Sequence, residues 1–184
     1  MNYWEGDLVS LRGIEIGDAP FFYNWNKETQ TQQHLDQIWF PSSLRRQEEW
    51  VAKQTTASVE DDSYFFVILN KNGDRVGMVH TNDCDKKNGH FSYAVAILEA
   101  HRNKGYAKAA IQMVLAYYFN ELRYHKALVG IYAFNKQSIG LHQTLGFQQE
   151  GRLREMIYAG NAYHDLLKFG LLKREFGLVP TAEA

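Results

Sequence analysis

Alternation of apolar and polar residues predicts four strands in the first half of the chain. Leu8–Arg12 alternates as a half-buried strand requires, and Tyr64–Leu69 is a run of aromatic and β-branched residues. The same character returns over Arg75–Thr81 after a glycine-containing turn, and over His90–Ile97 after a second turn at Lys86–Gly89. The last three strands follow one another through short turns, so we expect them to be antiparallel neighbours.

Two helices are predicted between the first strand and this group. Asp18 stands where it can cap a helix that has a proline in its first turn and aromatic residues along one side. Ser42 or Ser43 can begin a second helix, which passes through Val51. Residues 30–43 are polar, and we expect them to be irregular.

The period of the pattern changes after Gly105. Apolar residues recur at helical spacing from there to about Glu121, which makes this the clearest helix of the sequence. A buried strand over Lys126–Ala133, a short helix over Gln137–Leu145 and a hairpin over residues 149–172 follow. The resulting element order, βααβββαβαββ, predicts an α+β fold in which helices flank a mixed sheet.

Length and composition suit one globular domain. The chain has 184 residues, of which 45% are hydrophobic and 14% aromatic, enough for a substantial core. Neither a repeat nor a linker nor a low-complexity segment interrupts it. We therefore predict one domain over residues 1–177 and a C-terminal tail over residues 178–184.

Charge and cysteine content narrow the function classes. The chain has 20 basic and 21 acidic residues, so no global field favours nucleic acid or an anionic membrane. Cys84 is the only cysteine, and we interpret it as an incidental thiol near a turn. The N-terminal residues lack the features of a signal peptide, and no apolar run approaches the roughly 20 residues of a membrane span. These observations predict a cytoplasmic protein that recognises a small ligand.

The segment at 102–107, Arg-Asn-Lys-Gly-Tyr-Ala, joins the fourth predicted strand to the clearest helix. Unpaired amides and the helix dipole favour an anion there, and Gly105 and Ala107 allow the backbone to approach a phosphate closely. Arg102 and Lys104 add positive charge. The alternative is an ordinary glycine turn before a helix. Both the dinucleotide fingerprint and the Gly-x-x-x-x-Gly-Lys-Ser/Thr loop are absent, which argues against a kinase or an ATPase.

Two motifs together resemble those of the GNAT superfamily of acyl-CoA dependent N-acetyltransferases. The 102–107 segment resembles the signature Gln/Arg-x-x-Gly-x-Gly/Ala that follows the fourth strand of the family. Asn135, after the predicted fifth strand, and the later pair at 146–147, Gly-Phe, resemble the second signature. Residues 150–154 and 160–165 are similar to the branch of spermidine and ribosomal-protein alanine N-acetyltransferases. The resemblance covers nearly the whole chain.

This resemblance implies the acyl-CoA N-acyltransferase fold, with a mostly antiparallel seven-stranded sheet that is split between its fourth and fifth strands. It implies acetyl-CoA as cosubstrate, no metal, direct transfer to a primary amine in a ternary complex, and a homodimer. The amine is a polyamine, an amino sugar or antibiotic, or a protein N-terminus. The cofactor-binding residues implied are Val95, Ala96 and Ile97 for pantetheine, Arg102, Asn103, Lys104, Gly105, Tyr106 and Ala107 for pyrophosphate, and Asn135 and Ser138 near the thioester.

Acetyl transfer needs donors for the oxyanion and a proton for the departing thiolate. Where many relatives carry a tyrosine seven residues after the asparagine, this chain has His142. An imidazole can serve as that acid, and the alternative is a helix residue that is packed or faces solvent. Ser138 matches a serine of the ribosomal-protein branch and can donate to the sulfur or to the oxyanion. Its alternative role is a helix cap.

The base for the amine departs from the family pattern. Many relatives carry a glutamate on the fourth strand, where this chain has Ser92. His80 on the neighbouring strand, and Asp36 or His34 in the polar segment expected to wall the acceptor site, are the available substitutes. The unusual residues Ser92 and His142 also suggest a second function, a catalytically weak acyl-CoA-binding sensor or partner module.

Aromatic and acidic side chains in the N-terminal half admit two interpretations. Trp25, Trp39 and Phe40 either line an acceptor pocket or belong to the core. The acidic residues either attract a cationic amine or form solvated surface, and they are Glu48, Glu49, Glu60, Asp61 and Asp62.

Overall fold

The structure, a computed structural model, describes residues 2–35, 38, 40–59 and 61–177. Its strands are β1 Val9–Gly13, β2 Phe65–Asn70, β3 Arg75–Asp85, β4 His90–Ile97, β5 Lys126–Tyr132, β6 Gln148–Ala159 and β7 Ala162–Leu172. Its helices are α1 Ala19–Trp25, α2 Thr29–Leu35, α3 Leu44–Thr55, α4 Tyr106–Asn120 and α5 Lys136–Thr144. The predicted tail at residues 178–184 lies outside the described residues.

The strands form a seven-stranded sheet in the order β1-β2-β3-β4-β5-β7-β6. β4 and β5 run parallel, with His90 opposite Lys126 and Ser92 opposite Leu128, whereas β5 with β7 and β7 with β6 are antiparallel. This confirms the predicted fold class, an α+β fold with helices and a mixed, mostly antiparallel sheet.

The described residues divide into two compact units. The first lies within Met1–Asn82 and Ala94–Val114, and the second within Asp83–Tyr93 and Leu115–Ala184. In the first unit, α1 and α3 cover β2 with a buried apolar cluster. Trp25, only 6% exposed, belongs to this cluster, which favours the core interpretation of its indole.

Asp18 has a different role from the predicted cap. It occupies the position before α1, but its side chain makes no hydrogen bond to that helix. The carboxylate is fully buried and accepts hydrogen bonds from the guanidinium groups of Arg12 and Arg75 and from the amide of Glu15. A buried carboxylate requires such partners, so the ion pairs displace the cap.

The segment predicted to be irregular contains a helix, α2. Its sequence, Thr-Gln-Thr-Gln-Gln-His-Leu, has no apolar stripe, which is why the pattern did not reveal it. Its buried residues, Thr31 and Gln32, are polar and are hydrogen-bonded. The hydroxyl of Thr31 donates to Glu28, and the side-chain amide of Gln32 donates to the carbonyl of Asn26. Of the residues named in this segment, Asp36 and Trp39 lie outside the described part.

The remaining elements agree with the predictions. α3 begins after Ser43, whose Oγ accepts from the amide of Arg46 at 3.2 Å. The turns before β3 and β4 contain Gly73 and Gly89, both with positive φ. β3 runs beyond its predicted end and includes Cys84.

The second unit has an aromatic core and a long hairpin. Phe91 of β4 packs on Tyr118, Phe119 and Tyr124, with the Phe91 and Tyr118 ring centroids 4.3 Å apart. β7 pairs with both β5 and β6, and the register of β6 shifts between Leu153 and Ile157. In neither unit does a helix among the described residues have the length and apolarity needed to cross a bilayer.

Candidate active site

The loop predicted to hold a phosphate leads directly into α4. A short 3-10 turn, Glu99–His101, follows β4, and α4 begins at Tyr106. Asn103 and Gly105 both have left-handed backbone, with φ of 62° and 78°. The amides in the first turn of an α-helix have no acceptor within the helix, so this end of α4 presents donors to a ligand.

Gly105 is required by its conformation and not by crowding. A Cβ atom there would meet only Leu8 Cδ1, at 3.4 Å, whereas φ lies in the region that other residues rarely adopt. The space beside the glycine is therefore open to a ligand, as close approach of a phosphate to the backbone requires.

The side chain of Arg102 makes hydrogen bonds within the protein, a role that the sequence did not indicate, and its contribution of charge to a phosphate stays a prediction. Its guanidinium donates to the carbonyl of Ile97 at 3.2 Å and to the hydroxyl of Thr31. Its amide donates to the carbonyl of Glu99 at 3.3 Å. Arg102 therefore anchors the loop to β4 and α2, while the side chain of Lys104 is exposed.

In the second unit, Asn135 caps α5. Its Oδ1 accepts from the amide of Ser138 at 3.1 Å, and its own amide donates to the carbonyl of Tyr132 at 2.8 Å. The cap predicted as the alternative role of Ser138 therefore belongs to Asn135. Ser138 is half-buried, and its hydroxyl is not needed for the cap.

His142 is packed and does not face solvent. It is 3% exposed, its ring stacks on Tyr93 with centroids 5.8 Å apart, and the ring of Phe147 meets it edge-on at 5.2 Å. Nδ1 lies 2.8 Å from the carbonyl oxygen of Ser138 and 3.3 Å from its Oγ. Burial lowers the pKa of His142, and the backbone hydrogen bond to Ser138 opposes this shift. The neutral imidazole is therefore favoured.

Tyr93 is the member of this cluster that the sequence did not reveal. It is 5% exposed, and burial raises the pKa of its phenol well above the ordinary value. Its place in an alternating strand signals a core aromatic, and nothing in the sequence indicates that its ring lies against His142.

The described candidates for the base lie on separate elements. His80 stacks on Phe65 of the paired strand, with centroids 4.7 Å apart. His34 ends α2, and its pKa is lowered by burial and by the charge of Arg102. Ser92 pairs with Leu128. Asp36, the remaining candidate, lies outside the described residues.

Two further expectations concern metals and acceptor recognition. In the described ranges, no three His, Cys, Asp or Glu side chains are close enough to hold a metal ion.

Phe40 is 92% exposed, and Glu49 forms a surface pair with Arg45. The acceptor roles of these residues stay predictions, and Glu60 lies outside the description.

The sequence matches the family described as Acetyltransferase (GNAT) domain over residues 9–148. With this fold and most of its length matched, the chain belongs to the GNAT acetyltransferases and is an N-acetyltransferase. The SPbeta prophage-derived uncharacterized N-acetyltransferase YokL of Bacillus subtilis (strain 168) is 40% identical over 178 residues, covering 97% of each chain. The predicted family is thereby confirmed.

More distant relatives come from the two branches that the sequence resembles. Spermidine N(1)-acetyltransferase of Vibrio cholerae serotype O1 (strain ATCC 39315 / El Tor Inaba N16961) is 23% identical, covering 91% of this chain and 95% of that one. YdaF of Bacillus subtilis (strain 168), provisionally named a ribosomal N-acetyltransferase, is 27% identical over 80% and 82%. The structure of the Vibrio cholerae spermidine N-acetyltransferase with CoA and spermine matches the fold with a TM-score of 0.80, 23% identity and coverage of 91% and 96%.

Proposed function

We propose that the protein transfers an acetyl group from acetyl-CoA directly to a primary amine in a ternary complex. The observation that carries this proposal is the loop at residues 102–107. Two left-handed residues, Asn103 and Gly105, precede the start of α4 in a chain of the GNAT family. Backbone amides in such a turn suit the pyrophosphate of coenzyme A.

Three features of the loop fit a pyrophosphate. The first turn of α4 presents amides that have no helical acceptor, Gly105 leaves open space, and Lys104 places an exposed ammonium beside both. The strand end at Val95–Ile97 comes shortly before this loop. We assign to its backbone the pantetheine amides, and to Asn135 the role of steadying the arm near the thioester, as the family resemblance implies.

The chemistry requires four changes at the acetyl group. The amine nitrogen bonds to the carbonyl carbon, the carbon–sulfur bond breaks, the amine loses a proton, and the thiolate gains one. We assign to Ser138 a hydrogen bond to the developing oxyanion or to the sulfur, because its hydroxyl is half-buried and free of the helix cap. Neutral His142 directs its Nδ1 at Ser138 and supports this donor. His80, His34 and Asp36 are our candidates for the base.

The acceptor is to be identified by measuring thiol release from acetyl-CoA. The panel comprises polyamines, amino sugars, aminoglycosides and short peptides with free N-termini, and coenzyme A binding is followed in parallel by calorimetry. Turnover with one class is the expected result. Absence of both binding and turnover would contradict the proposal.

A second function is favoured by one observation. Ser92 stands where many relatives carry a carboxylate, which suits an acyl-CoA sensor that has lost efficient catalysis. Tight coenzyme A binding without turnover on any amine of the panel would support this sensor over the enzyme.

The role of the loop is tested with a pair of glycine variants. Gly105→Val should weaken coenzyme A binding at least about tenfold, because valine is strained at this φ and its methyl groups enter the space beside the backbone. Gly73→Val is the matched control, since φ is 82° and no atom lies near its Cβ position. The control should lose similar stability but keep its affinity for coenzyme A. Equal affinities in calorimetry would remove the loop from the site.

A further inference from the structure

Two polar atoms are buried in the His142 cluster, the packed rings of Tyr93, His142 and Phe147. Neither Nε2 of His142 nor the hydroxyl oxygen of Tyr93 has a hydrogen-bond partner within the part of the chain that the structure describes. Buried polar atoms in native proteins are nearly always satisfied, because desolvation without a hydrogen bond is unfavourable. Two such atoms on stacked rings therefore point to a shared partner.

The hydrogen-bond directions at His142 follow from its geometry. A carbonyl oxygen only accepts, so the 2.8 Å contact between Nδ1 and the Ser138 carbonyl places the proton on Nδ1. The neutral ring then has Nε2 as an acceptor only. The phenol of Tyr93 keeps its proton, since burial disfavours the phenolate, and it is a donor. One atom of the pair thus needs a donor, and the other can supply one.

We propose that Tyr93 is a positioning residue for the acetyl transfer proposed above, and that its hydroxyl donates to His142 Nε2 through one enclosed water. The two rings stack with their centroids 5.8 Å apart and an interplanar angle of 27°, and each carries one buried polar atom that has no partner among the described residues. A single buried water commonly satisfies such groups. The inference rests on the proposed function for its catalytic consequence but not for the hydrogen bond itself.

The consequence reaches Ser138 through the imidazole. With Nε2 satisfied by Tyr93, the Nδ1 proton stays directed at Ser138. It bonds to the carbonyl oxygen at 2.8 Å, and Oγ, 3.3 Å from Nδ1, shares it as the more distant second acceptor. The serine hydroxyl then has its own proton left to donate outward. Donation in one direction, from Tyr93 to His142 to Ser138, presents a hydrogen-bond donor where the oxyanion or the thiolate sulfur requires one.

Kinetics provide the first measurement. Tyr93→Phe removes only the hydroxyl, and kcat should fall about tenfold while the KM for acetyl-CoA and the affinity for coenzyme A change less than about twofold. Tyr118→Phe is the control, because it also removes a hydroxyl from a buried tyrosine of the same unit but lies outside the cluster. Its kcat should stay within about twofold of the wild-type value.

The hydrogen bond at Nε2 of His142 provides a second measurement, one that packing alone would not change. Nitrogen chemical shifts of labelled histidine should show the Nδ1–H form in both proteins, because the Ser138 carbonyl fixes it. The Nε2 signal should move in Tyr93→Phe toward the value of an acceptor that has no donor. His142→Asn keeps an amide donor near the place of Nδ1 and does not need Tyr93. The double variant, Tyr93→Phe with His142→Asn, should therefore have the same kcat as His142→Asn alone.

Two outcomes overturn the inference. The first is a Tyr93→Phe protein with wild-type kcat and an unchanged Nε2 chemical shift of His142, and the second is a full additional loss of kcat in the double variant. A wild-type protein that turns over no amine would instead contradict the proposed function. The Nε2 measurement needs no substrate and would still test the link between Tyr93 and His142.

Discussion

The carboxylate of Asp18 is fully buried between the guanidinium groups of Arg12 and Arg75. Burial raises its pKa, but hydrogen bonds from Arg12, from the amide of Glu15 and from Arg75 outweigh burial and lower the pKa from 3.8 to about 2. Asp18 lies before α1, whereas Arg75 begins β3, so the cluster ties the N-terminal segment to the central hairpin. Its loss leaves two cations partly buried without their anion.

Asp18→Asn should therefore lower the free energy of unfolding by roughly 3 kcal/mol at neutral pH. Because the folded pKa lies below the unfolded one, the contribution of Asp18 is complete above about 3.8 and disappears as the pH falls through about 2. Urea titrations across this range should show wild type and variant converging in acid. Asp7→Asn, at an exposed aspartate, is the control, and equal stabilities of Asp18→Asn and wild type would contradict the role.

His142 gives a second pH dependence at the level of one residue. Its folded pKa lies below 6.5, because burial among Tyr93, Phe147 and the helix backbone disfavours the imidazolium. As the pH falls below 6.5, His142 is protonated in the unfolded chain but stays neutral in the folded one. The free energy of unfolding therefore declines until the folded pKa is reached. His142→Asn should lack this decline. A wild-type-minus-variant difference that is constant with pH would show that the ring titrates normally.

At the scale of elements, the loop at residues 102–107 depends on a helix that precedes it by many residues in sequence. Arg102 joins the loop to the end of β4 and to Thr31 of α2, and the hydroxyl of Thr31 in turn donates to Glu28. The loop conformation is therefore held by partly buried hydrogen bonds, while Lys104 presents an exposed charge.

The salt dependence of coenzyme A binding distinguishes the role of Arg102 from that of Lys104. Arg102→Met should weaken coenzyme A binding about tenfold at every ionic strength, because the loop loses its anchors. Lys104→Met should weaken binding mainly at low salt, since an exposed charge is screened. Calorimetry at low and high salt distinguishes the two, and matching salt dependences would contradict the division of roles.

Elements with a periodic apolar face could be predicted from the sequence, and those without one could not. α4 and the β2–β3 hairpin followed directly from hydrophobic spacing. α2 did not, because its buried residues are polar and are stabilised by hydrogen bonds to Glu28 and Asn26. The same limit explains Asp18, whose cap position is visible in the sequence but whose ion-pair partners are brought in by the fold.

At the scale of the whole molecule, some residues of the candidate site could be predicted from the sequence and others could not. Gly105 and Ser138 could be predicted because each belongs to a local motif with fixed spacing. His142 was found by its place seven residues after Asn135, where many relatives carry a tyrosine, although its burial and its tautomer needed the structure. Tyr93 could not be found, since a phenol in an apolar strand becomes informative only when its neighbours are known.

The hydrogen bonds that run from Arg102 to Thr31 and Glu28 also make the loop and α2 thermodynamically coupled. Glu28 also accepts a hydrogen bond, at 3.4 Å, from the backbone amide of Glu99, which lies just before the loop. A ligand that restrains the loop therefore restrains α2, and linkage makes the effect equal in both directions. Changes confined to α2 will consequently alter the affinity of the loop for its ligand, and the order in which a loop ligand and an α2 ligand bind will not change the sum of their binding free energies.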